Sequence, residues 1–209
     1  MNMHADQDDH EIGAFFDRCA RKRLMYEFEP DEQEKLKRFL EVWDVRPGQR
    51  ILEPGCGNGR LTRVLAEATC PDGEVYATDL SPAMLALARE RGLPAHVHLV
   101  CGSAVMIERE DQWFDRVICL NVFPHLSDKL GALKEFARVL KPDGSLWVNH
   151  FEGRDNLNRF HHEAAPEVSQ HVLPCPHTMR RMAQEAGFEV VEFVDQGEVY
   201  SVKAVKQCR

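Results

Sequence analysis

The sequence predicts a doubly wound α/β fold, and two patterns carry that prediction. From residue 50 to residue 151, short apolar runs of strand length alternate with amphipathic runs of helical spacing. Alternation of this kind gives a parallel sheet with crossover helices on both faces. After residue 187, two strand-like runs follow one another around Gln196-Gly197, and such consecutive strands close as an antiparallel pair. The expected architecture is a seven-stranded, mostly parallel sheet with an antiparallel C-terminal edge hairpin.

Residues 11–22 ("EIGAFFDRCARK") and 31–43 ("DEQEKLKRFLEVW") repeat apolar positions at helical spacing and are separated by "FEP", so two leading helices are expected. They make residues 1–46 a helical cap ahead of a main domain over 47–209. Past the Pro47-Gly48 turn come strand "RILEP" and helix "RLTRVLAEA", then strand "EVYATDL" and helix "PAMLALARER". Strands "HVHLVC" and "DRVICLNVF", helix "KLGALKEFARVL" and strand "SLWVNHF" follow. Ser81-Pro82 suits a helix start, since proline at the first helical position lacks only an N–H that has no helical partner there. Pro142-Asp143-Gly144 suits the turn that separates a helix from the next strand. Residues 179–186 read as a helix stopped by Gly187. The stretch 153–177 interrupts the alternation. It reads as irregular and rich in histidine, with a short helix at "NLNRFHH", and 151–177 is expected to form an insert or lid.

A chain of 209 residues, 44% hydrophobic and 29% charged, suits one domain of ordinary size. Its formal net charge of -8 opposes broad attraction to nucleic acid or an anionic membrane, which rests on Lys and Arg neutralising phosphates. The expected partner is a small molecule, with neither nucleic acid nor membrane. Seven cysteines without a CxxC pair give no disulfide framework, which fits a reducing, cytoplasmic setting and mostly buried thiols. The amino end, "MNMHADQDDHE", is polar and acidic, unlike a secretory leader. No apolar run approaches the ~20 residues of a bilayer span.

Ligands of open α/β sheets sit outside the carboxyl ends of the strands where strand order reverses, which points to "EPGCGNG". Gly55, Gly57 and Gly59 give G-x-G-x-G, and Arg60 fills the place of the third glycine of a dinucleotide fingerprint. No Gly-Lys-Ser/Thr follows, so a Walker A loop is excluded as well. Glu53 argues further against a phosphate. A carboxylate 4 Å from such a charge repels it by roughly 1 to 4 kcal/mol, depending on the local dielectric. It would attract an ammonium. A ligand with an amino-acid end fits, and S-adenosylmethionine is one. Asp79 lies 20 residues past Gly59, near the offset at which an acid takes ribose hydroxyls.

With "FFDRCA", "ILEPGCGNG", "YATDLSPAMLALAR", "CGSA" and "FARVLKPDGSLWV", residues 14–148 resemble the class I S-adenosylmethionine-dependent methyltransferases. This is a Rossmann-like family whose small-molecule members include the quinone-biosynthesis C-methyltransferases. The resemblance implies that Glu53, Gly55, Gly57 and Gly59 hold the methionine end, and that Asp79 holds the ribose. Leu80 and Met84 would line the adenine, with Ser103 and Ala104 at its edge. Many relatives have Gly-Asp-Ala where this chain has Gly102-Ser103-Ala104, so a hydroxyl replaces a carboxylate facing the adenine amino group. Plainer readings stand beside these: glycines for close strand-helix packing, Asp79 as a helix N-terminal residue, and Met84 as core.

Methyl transfer from a sulfonium needs alignment first, and a base only where the nucleophile must lose a proton. Candidates lie where strands four and five end. His125 is the first choice, because a neighbouring sulfonium favours its neutral, proton-accepting form; capping the following helix is the rival role. His150 either faces the pocket or turns onto a covering helix. Asn121 orients cofactor or substrate, or serves as a turn residue. His161, His162, His171, Cys175 and His177 are of metal-ligating types, but no spacing among them matches a known finger, and a solvated loop is favoured over a metal site. His161 or His162 is the candidate catalytic member. Tyr200 faces either substrate or core. Nucleobase methylation is disfavoured, because Asn121 is followed by Val-Phe-Pro and no basic stripe is present. Protein methylation stays open. The competing functions are an NAD(P)-dependent oxidoreductase, opposed by Glu53 and the missing glycine, and an S-adenosylmethionine- or metal-binding protein without turnover.

Overall fold

The computed structural model describes residues 3–207. Its sheet is built outward from β1 (Arg50–Pro54), which lies between β2 (Glu74–Asp79) and β4 (Phe114–Leu120). β3 (Val97–Cys101) forms one edge beyond β2, while β5 (Leu140–His150), β7 (Val199–Lys206) and β6 (Phe188–Gln196) continue past β4. The order β3-β2-β1-β4-β5-β7-β6 is parallel through β5, and β7 is antiparallel to both β5 and β6. Ile51, Leu52, Val75 and Ala77 are fully buried, as expected of central strands covered on both faces. In β7 only alternate residues are buried, Tyr200, Val202 and Ala204, because one face of this edge meets solvent.

Two hydrophobic clusters cover the two faces of the sheet. One packs α5 (Lys129–Val139) and α7 (Pro176–Glu185) against it through Leu133, Phe136 and Met179. The other packs α2 (Pro30–Trp43) and α3 (Arg60–Thr69) through Phe39, Trp43 and Leu65. The chain before residue 46 therefore divides. α2 is part of the main core, with Trp43 Nε1 donating to Asn149 Oδ1 at 2.9 Å. α1 (Met3–Arg21) lies instead on α4 (Pro82–Glu90). Gly13 permits the close approach: a Cβ there would stand 3.2 Å from the Leu80 carbonyl oxygen. Asp17 accepts hydrogen bonds from the Ser81 hydroxyl and the Ala83 N–H, so α1 helps to cap α4.

The structure is more regular than the sequence suggests at two places. α1 extends well before residue 11. The segment expected to be irregular contains α6 (Arg154–Glu163) and a 3₁₀ turn at Pro166–Val168. Asp195 of β6 accepts from the backbone N–H of Arg154 at 3.0 Å and so caps α6 from 41 residues away. Asn158 holds the returning chain by bonding both the N–H and the carbonyl of Leu173. Among the described residues no helix is long and apolar enough to cross a membrane.

Candidate functional site

A cavity of about 1200 Å³, counting its open mouth, lies at the carboxyl ends of β1, β2 and β4, where the strand order reverses. The glycine turn after β1 forms its floor. Gly55 has φ +67°, and a Cβ on it would stand 2.1 Å from Val122 Cγ2, so this turn accepts no side chain there. Gly57 has φ +54° and nothing within 4 Å of the position of a Cβ, leaving backbone open to the cavity. Gly59 does not line the cavity; it lets α3 approach Ala88 of α4.

Glu53, next to last in β1, and Asp79, last in β2, come from adjacent strands and both line the cavity wall. Glu53 is 3% exposed, and its Oε2 has no hydrogen-bond partner among the described residues. Burial pushes its carboxyl up to about 8; the Thr62 hydroxyl opposes this, and the neighbouring Asp79 charge adds to it. An unpaired, buried carboxylate oxygen at the turn is what an ammonium requires. Asp79 is differently held. Its Oδ2 accepts from Gly57 N at 2.8 Å and its Oδ1 from Ser81 N at 2.8 Å, while burial raises its carboxyl. Lone pairs remain on both oxygens for ribose hydroxyls. Leu80, Met84, Ser103, Ala104 and Asn121 also line the cavity. Asn121 has φ +56°, and its Oδ1 accepts from Phe151 N at 3.2 Å, so it joins the ends of β4 and β5 while facing the site.

The three candidate histidines separate. His125, on a 3₁₀ turn (Phe123–His125), lines the cavity. Its Nδ1 is 3.0 Å from His171 Nδ1, and its ring centroid is 4.9 Å from that of His161. Burial, reinforced by His161, His171, His150 and Lys129, holds its basicity well below the ordinary histidine value. His161 is buried behind it, bonded through Nδ1 to the His171 carbonyl, whereas its neighbour His162 is exposed. His150 is not in the cavity wall. It is 2% exposed beside Tyr200, its Nε2 has no partner among the described residues, and burial pushes it down to about 3. Tyr200 belongs to the core, its hydroxyl donating to the Pro174 carbonyl at 3.2 Å. Cys175 and His177 are exposed. Among the described residues no group of three His, Cys, Asp or Glu side chains is arranged to hold a metal ion.

The helical cap expected over residues 1–46 does reach the cavity, but sequence reasoning named none of the residues by which it does so. Asp9, Ile12 and Phe16 of α1, with Leu24, Met25 and Phe28 of the following strap, form the outer wall. Arg91 fastens the strap by donating to the Tyr26 and Asn58 carbonyls and the Glu27 carboxylate. Asn58 of the glycine turn donates to the Met25 carbonyl at 3.0 Å. Arg60, at the start of α3, donates to the Glu27 carbonyl and pairs with Glu32 at 3.1 Å, its guanidinium lying over the Phe28 ring. The available signal was local: the "FFDRCA" stretch and the Arg60 position beside the turn.

The family described as "Methyltransferase domain" matches residues 52–148, which include Glu53 through His125 but neither α1 nor the 151–177 segment. A ubiquinone/menaquinone biosynthesis C-methyltransferase of Vibrio vulnificus is 30% identical over 180 residues, covering 73% of this chain and 69% of that protein. Its counterpart in Ectopseudomonas mendocina is 37% identical over 125 residues, covering 57% of this chain and 49% of the relative. The chain thus spans about half the length of this relative. Among solved structures, an S-adenosylmethionine-dependent methyltransferase from Aquifex aeolicus superposes with a TM-score of 0.67 at 23% identity, over 85% of this chain and 98% of that one. That last likeness is one of fold.

Proposed function

The chain belongs to the class I S-adenosylmethionine-dependent methyltransferases, and from that premise we propose that it methylates a small, apolar, ring-bearing acceptor, with His125 as the general base. The observation that carries the reading is the unpaired Glu53 oxygen at the glycine turn, one strand from Asp79. Glu53 takes the ammonium of the methionine end, Gly57 presents open backbone to it, and Asp79 takes the ribose. S-adenosylmethionine, when bound, supplies a methyl group on a sulfonium whose departure leaves a neutral thioether. The cavity walls supply alignment, which is worth ~7 to 11 kcal/mol of a barrier in favourable cases.

The acceptor class follows from the walls and from the relatives' names. Phe16, Leu24, Met25, Phe28 and Leu126 give the mouth an apolar lining suited to a ring, and the curated relatives carry quinone-pathway names. His125 keeps its Nδ1 against His171, so Nε2 is the nitrogen left to accept a proton from a hydroxyl or ring carbon. His171 fixes the ring's orientation through the same contact, and His161 packs the ring in place. Asn121 positions acceptor or cofactor beside it. α1 with the 22–29 strap serves as the cap over the cavity, and the 151–177 segment serves as a lid that backs His125. His150, away from the cavity wall, acts only by packing.

Calorimetry with S-adenosylhomocysteine and with NADH, followed by a screen of phenols, hydroquinones, thiols and amines for transfer of a labelled methyl group, tests the proposal. Binding of S-adenosylhomocysteine and labelling of a hydroxylated ring are expected. Tight NADH binding without S-adenosylhomocysteine binding would overturn it, and so would labelling confined to proteins or nucleic acid.

A further inference from the structure

The chain lacks a carboxylate at position 103, where many members of its family place one against the adenine amino group, and the structure brings another to that edge. Asp9 of α1 lines the cavity beside Ser103 and Ala104. Its Oδ2 accepts from the Ser103 hydroxyl at 2.6 Å, and its Oδ1 accepts from the Ser127 hydroxyl. The two serines come from separate loops, after β3 and after the 3₁₀ turn that carries His125. They hold one carboxylate from opposite sides. We infer that Asp9 is the residue that reads the adenine amino group, so that α1 supplies the specificity contact that the loop after β3 has given up.

The chemistry is direct. An ionised carboxylate accepts at about four lone-pair positions, and the serines occupy two. An exocyclic amino group in this cavity, whose wall includes the buried, apolar Met84 and Ile12, would otherwise lose its hydrogen bonds to water without replacement. The serine hydroxyls fix the carboxylate's orientation, so little side-chain freedom is lost when the base arrives. A 6-oxo base presents an acceptor where adenine presents a donor, and it meets an acceptor-only carboxylate. The contact therefore discriminates between the two bases as well as adding affinity.

The inference rests on the reading of the cavity as the cofactor site, and its test separates the two. Affinities of the full chain for S-adenosylhomocysteine and S-inosylhomocysteine are measured by calorimetry for the wild type, Asp9→Ala, and Asp9→Ala combined with Ser103→Asp. The wild type should prefer the adenine form by about tenfold or more, the scale of one charge-assisted hydrogen bond. Asp9→Ala should weaken the adenine form by about that factor and leave the inosine form equal or tighter, collapsing the preference. Adding Ser103→Asp should restore it. The preference is a ratio within one sample, so partial unfolding of a variant cancels from it. An unchanged ratio in Asp9→Ala overturns the inference while the cofactor site stands. A wild type that binds neither ligand overturns the site itself and the inference with it.

Discussion

Glu53 is buried and His125 half-buried, and both carry their ordinary charge reluctantly, but in opposite senses. With its carboxyl pushed up to about 8, Glu53 is mostly protonated at pH 6.5 in the empty site. An arriving ammonium favours the carboxylate, so binding should expel a proton. Titrating S-adenosylhomocysteine at pH 6.5 in buffers of different ionisation enthalpy should show release of about one proton, falling toward zero as pH approaches 9, where the carboxylate is already formed. Glu53→Gln should abolish the release and weaken binding by about ten- to a hundredfold. His125, by contrast, is held neutral, so a base role needs no prior deprotonation. His125→Ala should leave S-adenosylhomocysteine affinity within about twofold while lowering kcat by about 10²- to 10⁴-fold, the usual range for a lost general base. Equal losses of binding and turnover would remove His125 from that role. Asp79→Ala should do the opposite, weakening the ligand strongly, because Asp79 also anchors the Gly57 N–H.

Elements differ in how far the chain announces them. The β1 turn was legible as a turn, because an acid, three glycines and a helix start lie within ten residues, but not that its last glycine, Gly59, serves packing against Ala88 instead of the cavity. Its stiffness can be checked: Gly55→Ala places a methyl 2.1 Å from Val122 Cγ2 at φ +67°, so it should abolish measurable S-adenosylhomocysteine binding and lower the melting temperature by several degrees. Adding Val122→Ala should recover stability only in part, because the contact with Cγ2 is lost while the Cβ at position 122 still stands 2.8 Å from the new methyl and the φ stays strained. The strands were legible for the same local reason, as short apolar runs between turn residues, except that β5 begins at Leu140 and takes in Pro142-Asp143-Gly144, where the sequence pointed to a turn. α6 was legible only as a fragment, since its cap is Asp195 on a distant strand. The pairing of His125 with His171 was hidden as well, the two being 46 residues apart and joined by packing alone. Alternation left His150 with two faces to choose from, and only the burial of Tyr200 beside it fixes which. Asp9 sat in a polar stretch without apolar periodicity, and nothing local marks a carboxylate that works by meeting two serines from other loops.

At the scale of the whole molecule the buried titratable groups compete, and the sign of each determines how stability responds to pH. His150 falls from 6.5 to about 3 on folding, so the unfolded chain takes up a proton that the folded one refuses. Its contribution is present above pH 6.5 and lost as pH falls through about 3, and His125 and His171, also lowered, act in the same sense. Glu53 runs the other way. Raised from 4.5 to about 8, it contributes stability below pH 4.5 that is lost as pH rises through about 8, at most about 5 kcal/mol. Asp79, raised by burial, adds to that descending arm. The ligand-free protein should therefore be most stable near pH 6.5 and should weaken on both sides. S-adenosylhomocysteine removes the Glu53 penalty by pairing the carboxylate, so the increase in melting temperature at saturating ligand should grow between pH 6.5 and pH 8. Melting curves with and without ligand across that range are the measurement. In Glu53→Gln the ligand-free descent above pH 6.5 should be shallower, while the acid arm stays as in the wild type. A ligand effect constant from pH 6.5 to 8 would mean that the ammonium does not meet Glu53.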